Sequence, residues 1–78
     1  MGRIVCNPEI LGGKPVIKGT RIAAYLILDL LAEEYSIEEI NGFYTHINAE
    51  DIKACIKYAA KLCQSGETVE PFGVTGDA

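Results

Sequence analysis

Apolar positions recur along this chain in two different rhythms. Up to residue 21 they come in short runs cut by glycine and proline. Ile4-Val5-Cys6 is stopped by Asn7-Pro8, Ile10-Leu11 runs into Gly12-Gly13, and Pro15-Val16-Ile17-Lys18 is closed by Gly19-Thr20. Short β-prone runs bounded by turn residues read as strands, so residues 3–6 and 15–18 are expected to pair as a two-stranded element. Gly12, Gly13 and Gly19 take positive φ at little cost, and Pro15 pushes Lys14 toward an extended conformation. Such a pair of strands is marginal in water alone, so it must lie against helices or against the same element of a second chain.

From residue 22 the rhythm becomes helical. Ile22, Leu26 and Leu30 trace one line, with Ala23, Ile27 and Leu31 beside it. This predicts a first helix over residues 22–33 or 22–34, capped by Thr20. Its apolar stripe is wider than two short neighbours require, which points to a covered outer face. Ser36-Ile37-Glu38-Glu39-Ile40 carries a capping box, with Ser36 as cap, Glu39 at N3 and Tyr35 positioned to staple onto Ile40. This second helix is brief and ends near Gly42-Phe43. After a turn through residues 44–47, Asn48 is expected to cap a third helix with Asp51 at N3. Ile52, Ile56, Ala59 and Cys63, with Cys55 and Leu62 at the margins, are its expected apolar side. Lys53, Lys57 and Lys61, each four apart, form a basic line on another side. Ser65-Gly66 ends the periodicity.

The fold class that follows is mainly α: a three-helix helix-turn-helix domain, homeodomain-like or winged, with an N-terminal two-stranded β element. It occupies residues 1–64, and residues 65–78 form an acidic tail in which Val69, Phe72 and Val74 are spaced as a candidate partner-binding peptide. The bland alternative for the tail is a terminus partly laid on the body.

Size and charge sharpen this picture. With 78 residues there is room for one domain, and an apolar content of 49% is high for so small a chain, so a homodimer is the expected state. The net charge of −4 hides an asymmetry. Residues 1–21 carry Arg3, Lys14, Lys18 and Arg21 against Glu9, whereas residues 22–78 carry three lysines against ten carboxylates. Global acidity argues against nonspecific nucleic-acid binding, but a locally basic face still positions phosphates. Cys6, Cys55 and Cys63 form no CxxC pair and read as reduced, small core residues of a cytoplasmic protein. No leader is visible, and the longest apolar stretch, residues 22–28, is too short to cross a bilayer.

The candidate chemistry is binding rather than catalysis. Lys14, Lys18 and Arg21 on the glycine-rich segment, with Lys53 and Lys57 on the third helix, are the candidate DNA contacts: the former for phosphates, the latter near the groove. Glu50 and Asp51 oppose this at the N-terminal end of the third helix, where they would repel phosphates. The segment GKPVIKGT is a near miss to a nucleotide-binding loop, because the lysine precedes the second glycine and Pro15 removes an amide. His46 has no second nitrogen ligand, and Asp29, Glu33 and Glu34 read as a solvated edge. The chain is expected not to be an enzyme and to use no metal or cofactor.

Residues 12–22 (GGKPVIKGTRI), supported by Ser36-Ile37-Glu38-Glu39-Ile40, Tyr44, Glu50-Asp51-Ile52 and Tyr58-Ala59-Ala60, resemble the domain of unknown function 433 family, which includes antitoxins of the VapB type. The resemblance runs over about residues 4–62. It implies a homeodomain-like or winged helix-turn-helix fold, often dimeric. In many members it also implies an antitoxin that binds DNA at its own promoter and neutralises a PIN-like ribonuclease toxin. It supplies no catalytic residues. The family usually has glycine where this chain has Glu34 and proline where it has Thr45. The alternatives are a protein-interaction module that does not touch DNA, or an orphan dimeric member of the family.

Overall fold

The computed structural model describes residues 2–65, with the Ser65 side chain left out; Val69, Phe72 and Val74 lie outside the described residues. In chain order the elements are strand β1 (Ile4–Cys6), a 3-10 turn (Leu11–Gly13), strand β2 (Pro15–Ile17) and helices α1 (Ala24–Ala32), α2 (Ile37–Phe43) and α3 (Ala49–Ser65). It is the expected mainly helical domain with a two-stranded N-terminal element.

The strands pair antiparallel, Ile4 opposite Ile17, Val5 opposite Val16 and Cys6 opposite Pro15. Gly12 (φ 67°) and Gly13 (φ 90°) both take the left-handed backbone that turns the chain between them, and Lys14 is extended as Pro15 requires (φ −67°, ψ 152°).

Thr20 does not cap α1. Its hydroxyl donates to the Ile17 carbonyl (2.8 Å) and accepts from the Ile22 amide (2.9 Å), so it closes the turn after β2 instead. The first helix consequently starts two residues later than the apolar rhythm predicts. Ile17 donates its amide to the Ile22 carbonyl at 3.0 Å and Ala23 bridges Val16, which holds residues 22–23 as a third extended segment on β2. Ala23 then occupies the cap position of α1 without a side-chain bond.

α1 ends in a Schellman motif: the Glu34 amide donates to the Leu31 carbonyl (2.9 Å) and the Tyr35 amide to the Leu30 carbonyl (3.1 Å). Glu34 takes φ 75° to do so, the position at which glycine is the usual residue. The capping box of α2 forms as expected, Ser36 accepting from the Glu39 amide and Glu39 from the Ser36 amide. Tyr35 pairs edge-to-face with Phe43 at a centroid distance of 5.3 Å, three residues beyond its expected staple partner Ile40.

Ile17, Ala24, Ile27, Ile40, Ile47, Ile52 and Cys55 form the core, drawn from β2, the three helices and the turn before α3. Asn41 donates its side-chain amide to the Ile47 carbonyl at 2.8 Å and fixes that turn against α2. On α3 the buried line is Ile52 and Cys55, not Ile52, Ile56, Ala59 and Cys63. Ile56 is 42% exposed and Cys63 is exposed, because the packed side of α3 runs through Ile52 and Cys55, three residues apart, and turns Ile56 away from it. Residues 60–64 are exposed. The cysteines are correspondingly unlike one another: all three are free, Cys55 is in the core, and Cys6 and Cys63 are exposed rather than core residues. Cys6 ends the edge strand, and Cys63 lies beyond the packed turns of α3.

Candidate functional site

The basic residues singled out in the sequence are all exposed, but the fold does not gather them at one point. Lys14 lies before β2, and Lys18 lies after it. The intervening extended chain separates their backbones by roughly 13 Å at ~3.3 Å per residue. Lys18 and Arg21 share the turn that Thr20 closes. The Lys18 amide donates to the Arg3 carbonyl at 2.7 Å, so the ladder between the strands continues one pair past Ile4 and Ile17 and sets Arg3 beside Lys18.

Arg3 has a structural role that its place in the sequence does not signal. Its guanidinium donates to Asp51 Oδ1 at 2.8 Å, joining the start of the chain to the first turn of α3. Asp51 is only 15% exposed and is fully engaged: its second oxygen accepts from the Asn48 amide (3.0 Å) while Asn48 Oδ1 accepts from the Asp51 amide (2.9 Å). The expected cap of α3 is therefore present, and it is braced from outside by a cation. Nothing in the local spacing announces this contact, although the β1–β2 register, once known, brings Arg3 next to Lys18.

Between the chain start and the outer face of α3 runs a groove of about 800 Å³, lined among others by Arg3, Ile4, Lys53, Lys57, Tyr58 and Lys61. The helical repeat sets the three lysines one turn apart on a single side, and Ile4 and Tyr58 add apolar surface to the lining. Glu50 stands at one end, 3.8 Å from Lys53, a distance at which an exposed i,i+3 pair contributes little. Arg3 is committed to Asp51 and Lys53 lies near Glu50, so it is the basic side of α3 through Lys57 and Lys61 that suits an anionic ligand. The carboxylates expected to repel phosphate are thus partly answered: Asp51 by Arg3 and its cap bonds, Glu50 weakly by Lys53.

Two hydroxyl or thiol groups nearby are perturbed. Burial first, and then the charge of Asp51, push the Cys55 thiol from 9.0 up to about 11. Loss of water contact, followed by hydrogen bonding to Cys6 and the charge on that thiol, raises the Tyr58 hydroxyl above its ordinary value. Both shifts keep these groups neutral near neutral pH. His46 is exposed in the turn before α3. Among the described residues no group of three His, Cys, Asp or Glu side chains could hold a metal ion, and no helix is long and apolar enough to cross a membrane.

Residues 4–59 match the family model described as Protein of unknown function (DUF433). The chain belongs to the DUF433 family. A relative, the uncharacterized protein y4eO of Sinorhizobium fredii (strain NBRC 101917 / NGR234), is 34% identical over 56 residues, which is 72% of this chain and 25% of that protein. The chain thus spans about a quarter of the length of the curated relative it matches. No solved structure matches it. The DUF433 match includes Lys14, Lys18, Arg21, Lys53 and Lys57, and it stops inside α3, short of Lys61 and of residues 66–78.

Proposed function

We propose that this DUF433 chain is an antitoxin-type DNA-binding protein, acting as a homodimer at its own promoter and neutralising a PIN-like ribonuclease. The observation that supports the DNA-binding half is the groove along α3. It aligns Lys53, Lys57 and Lys61 with Arg3, and the backbone bond from Lys18 to Arg3 extends the basic surface into the turn holding Lys18 and Arg21. In this reading the middle of α3 approaches the duplex, Lys18 and Arg21 hold flanking phosphates, and Lys14 contacts the backbone farther along. The first turn of α3, committed to Asn48, Asp51 and Arg3, serves to aim the helix and reads no base. Toxin binding is assigned to Val69, Phe72 and Val74 from their spacing alone.

The test is an anisotropy titration of the full chain against duplex DNA from its own upstream region, with a scrambled duplex beside it, at two salt concentrations. The reading expects saturable binding that prefers the native sequence and weakens with salt. Equal, weak binding of both duplexes by the folded protein overturns it.

A second reading, a protein-interaction module that does not touch DNA, is favoured by the exposed aromatic pair Tyr35 and Phe43 and by the exposure of Tyr25 and Leu26 on α1. Apolar groups of that size are more at home under a partner than in water.

A further inference from the structure

The groove beside α3 and residues 66–78 are matched in charge, in apolar content and in position. Lys53, Lys57 and Lys61 line the groove with Ile4 and Tyr58; Arg3, held by Asp51, and Glu50 stand toward its other end. The segment that follows α3 carries Glu67, Glu70 and Asp77, with no lysine or arginine, and interleaves Val69, Phe72 and Val74 among them. The groove extends to Gln64, the residue before α3 ends at Ser65. Gly66 follows at once, and a glycine there lets the chain reverse over the helix it has just left. From Gln64 back to Glu50 the groove is about 21 Å long at ~1.5 Å per helical residue. Residues 67–77 reach up to about 36 Å when extended.

We infer that the groove is the docking site of this chain's own acidic segment, residues 67–77, held in cis as an extended peptide. Its carboxylates lie against the α3 lysines, and its apolar side chains face Ile4 and Tyr58. Glu70 and Phe72 share one face of an extended segment, the carboxylate for the lysines and Phe72 as the apolar anchor. This occupant does not depend on the chain binding DNA. If the DNA reading also holds, the segment competes with phosphates for the same cations.

The experiment is NMR on the full chain at low salt, without DNA. The wild type is expected to show nuclear Overhauser contacts from the Phe72 ring to Tyr58 and Ala54, seen within one molecule in a mixed sample of labelled and unlabelled protein. The E67Q/E70Q/D77N variant, whose changes lie outside the described body of the fold, should lose these contacts. Its amide shifts should move at Ile4 and over residues 53–61 and stay in place at Ile40 and Ile47. Lys57→Glu, on the opposite side of the contact, should give the same loss. Contacts that appear only between labelled and unlabelled molecules put the segment in a second copy and overturn the proposal. So does a wild type whose groove shifts match the triple variant. Adding upstream duplex to both proteins separates the two readings. Tighter binding by the triple variant supports competition, and no binding by either protein removes the DNA reading while leaving the Phe72 contacts to decide the docking.

Discussion

Arg3 and Asp51, 48 residues apart in sequence, meet at 2.8 Å, and through this pair the start of the chain braces the N-terminus of its longest helix. Because Asp51 also accepts from the Asn48 amide, its removal deletes the reciprocal half of the cap as well as an ion pair, while the Asn48 side-chain bond to the residue 51 amide stays. Asp51→Ala should lower stability by about 1 kcal/mol. Arg3→Ala should cost less than about 1 kcal/mol, since the arginine is half exposed. Urea unfolding of both single variants and the double variant checks this, and the coupling should be a few tenths of a kcal/mol.

Glu34 holds a left-handed backbone, φ 75°, at the end of α1. Glu34→Gly should therefore raise stability by roughly 1 kcal/mol, while Glu34→Ala should change it little, because alanine keeps the Cβ that causes the strain. The mirror experiment is Gly19→Ala at φ 82°, where open space surrounds a new Cβ. The backbone alone then sets the cost, about 1 kcal/mol. Thermal unfolding in one buffer compares all three.

Cys55 makes stability fall at alkaline pH. Its pKa is raised on folding, from 9.0 to about 11, so the folded chain holds the proton more tightly than the unfolded chain. The stabilisation is fully present below pH 9 and is lost as pH rises through about 11, an effect on the order of 2 kcal/mol. Cys55→Ala should lower stability at pH 7 but flatten this alkaline limb. At pH 8 a thiol reagent should modify Cys6 and Cys63 rapidly and reach Cys55 only on opening of the fold.

For DNA, each of Lys53→Ala, Lys57→Ala and Lys18→Ala should weaken binding and lower the salt slope by about 1. Arg3→Ala should do the same while also loosening the brace on α3. Anisotropy titrations at four salt concentrations measure the slopes. Unchanged slopes in the two α3 variants would sink the groove as the DNA contact.

What the sequence disclosed follows from how local each cause is. Ser36 with Glu39, and Asn48 with Asp51, act over three residues, so the starts of α2 and α3 were readable from spacing alone. The start of α1 was not, because Ile22 and Ala23 give their hydrogen bonding to β2 and not to a helix, a choice made by tertiary contact. The phase of α3 escaped for a related reason. Ile52, Cys55, Ile56, Ala59 and Cys63 offer two overlapping apolar lines, and the placement of α1 and α2 decides between them. Of the candidate cations, Lys53 and Lys57 share a face by helical periodicity. The separation of Lys14 from Lys18, and the arrival of Arg3 beside Lys18, depend on strand register.

The groove has its two walls at opposite ends of the described chain, residues 2–4 on one side and α3 on the other. The hairpin and the successive helices close short loops, whereas β1 on α3 joins the residues farthest apart in sequence, so the groove exists only when both have been brought together. A ligand seated there binds only the finished fold, and by mass action it protects the whole domain from unfolding and from proteolysis of the open chain.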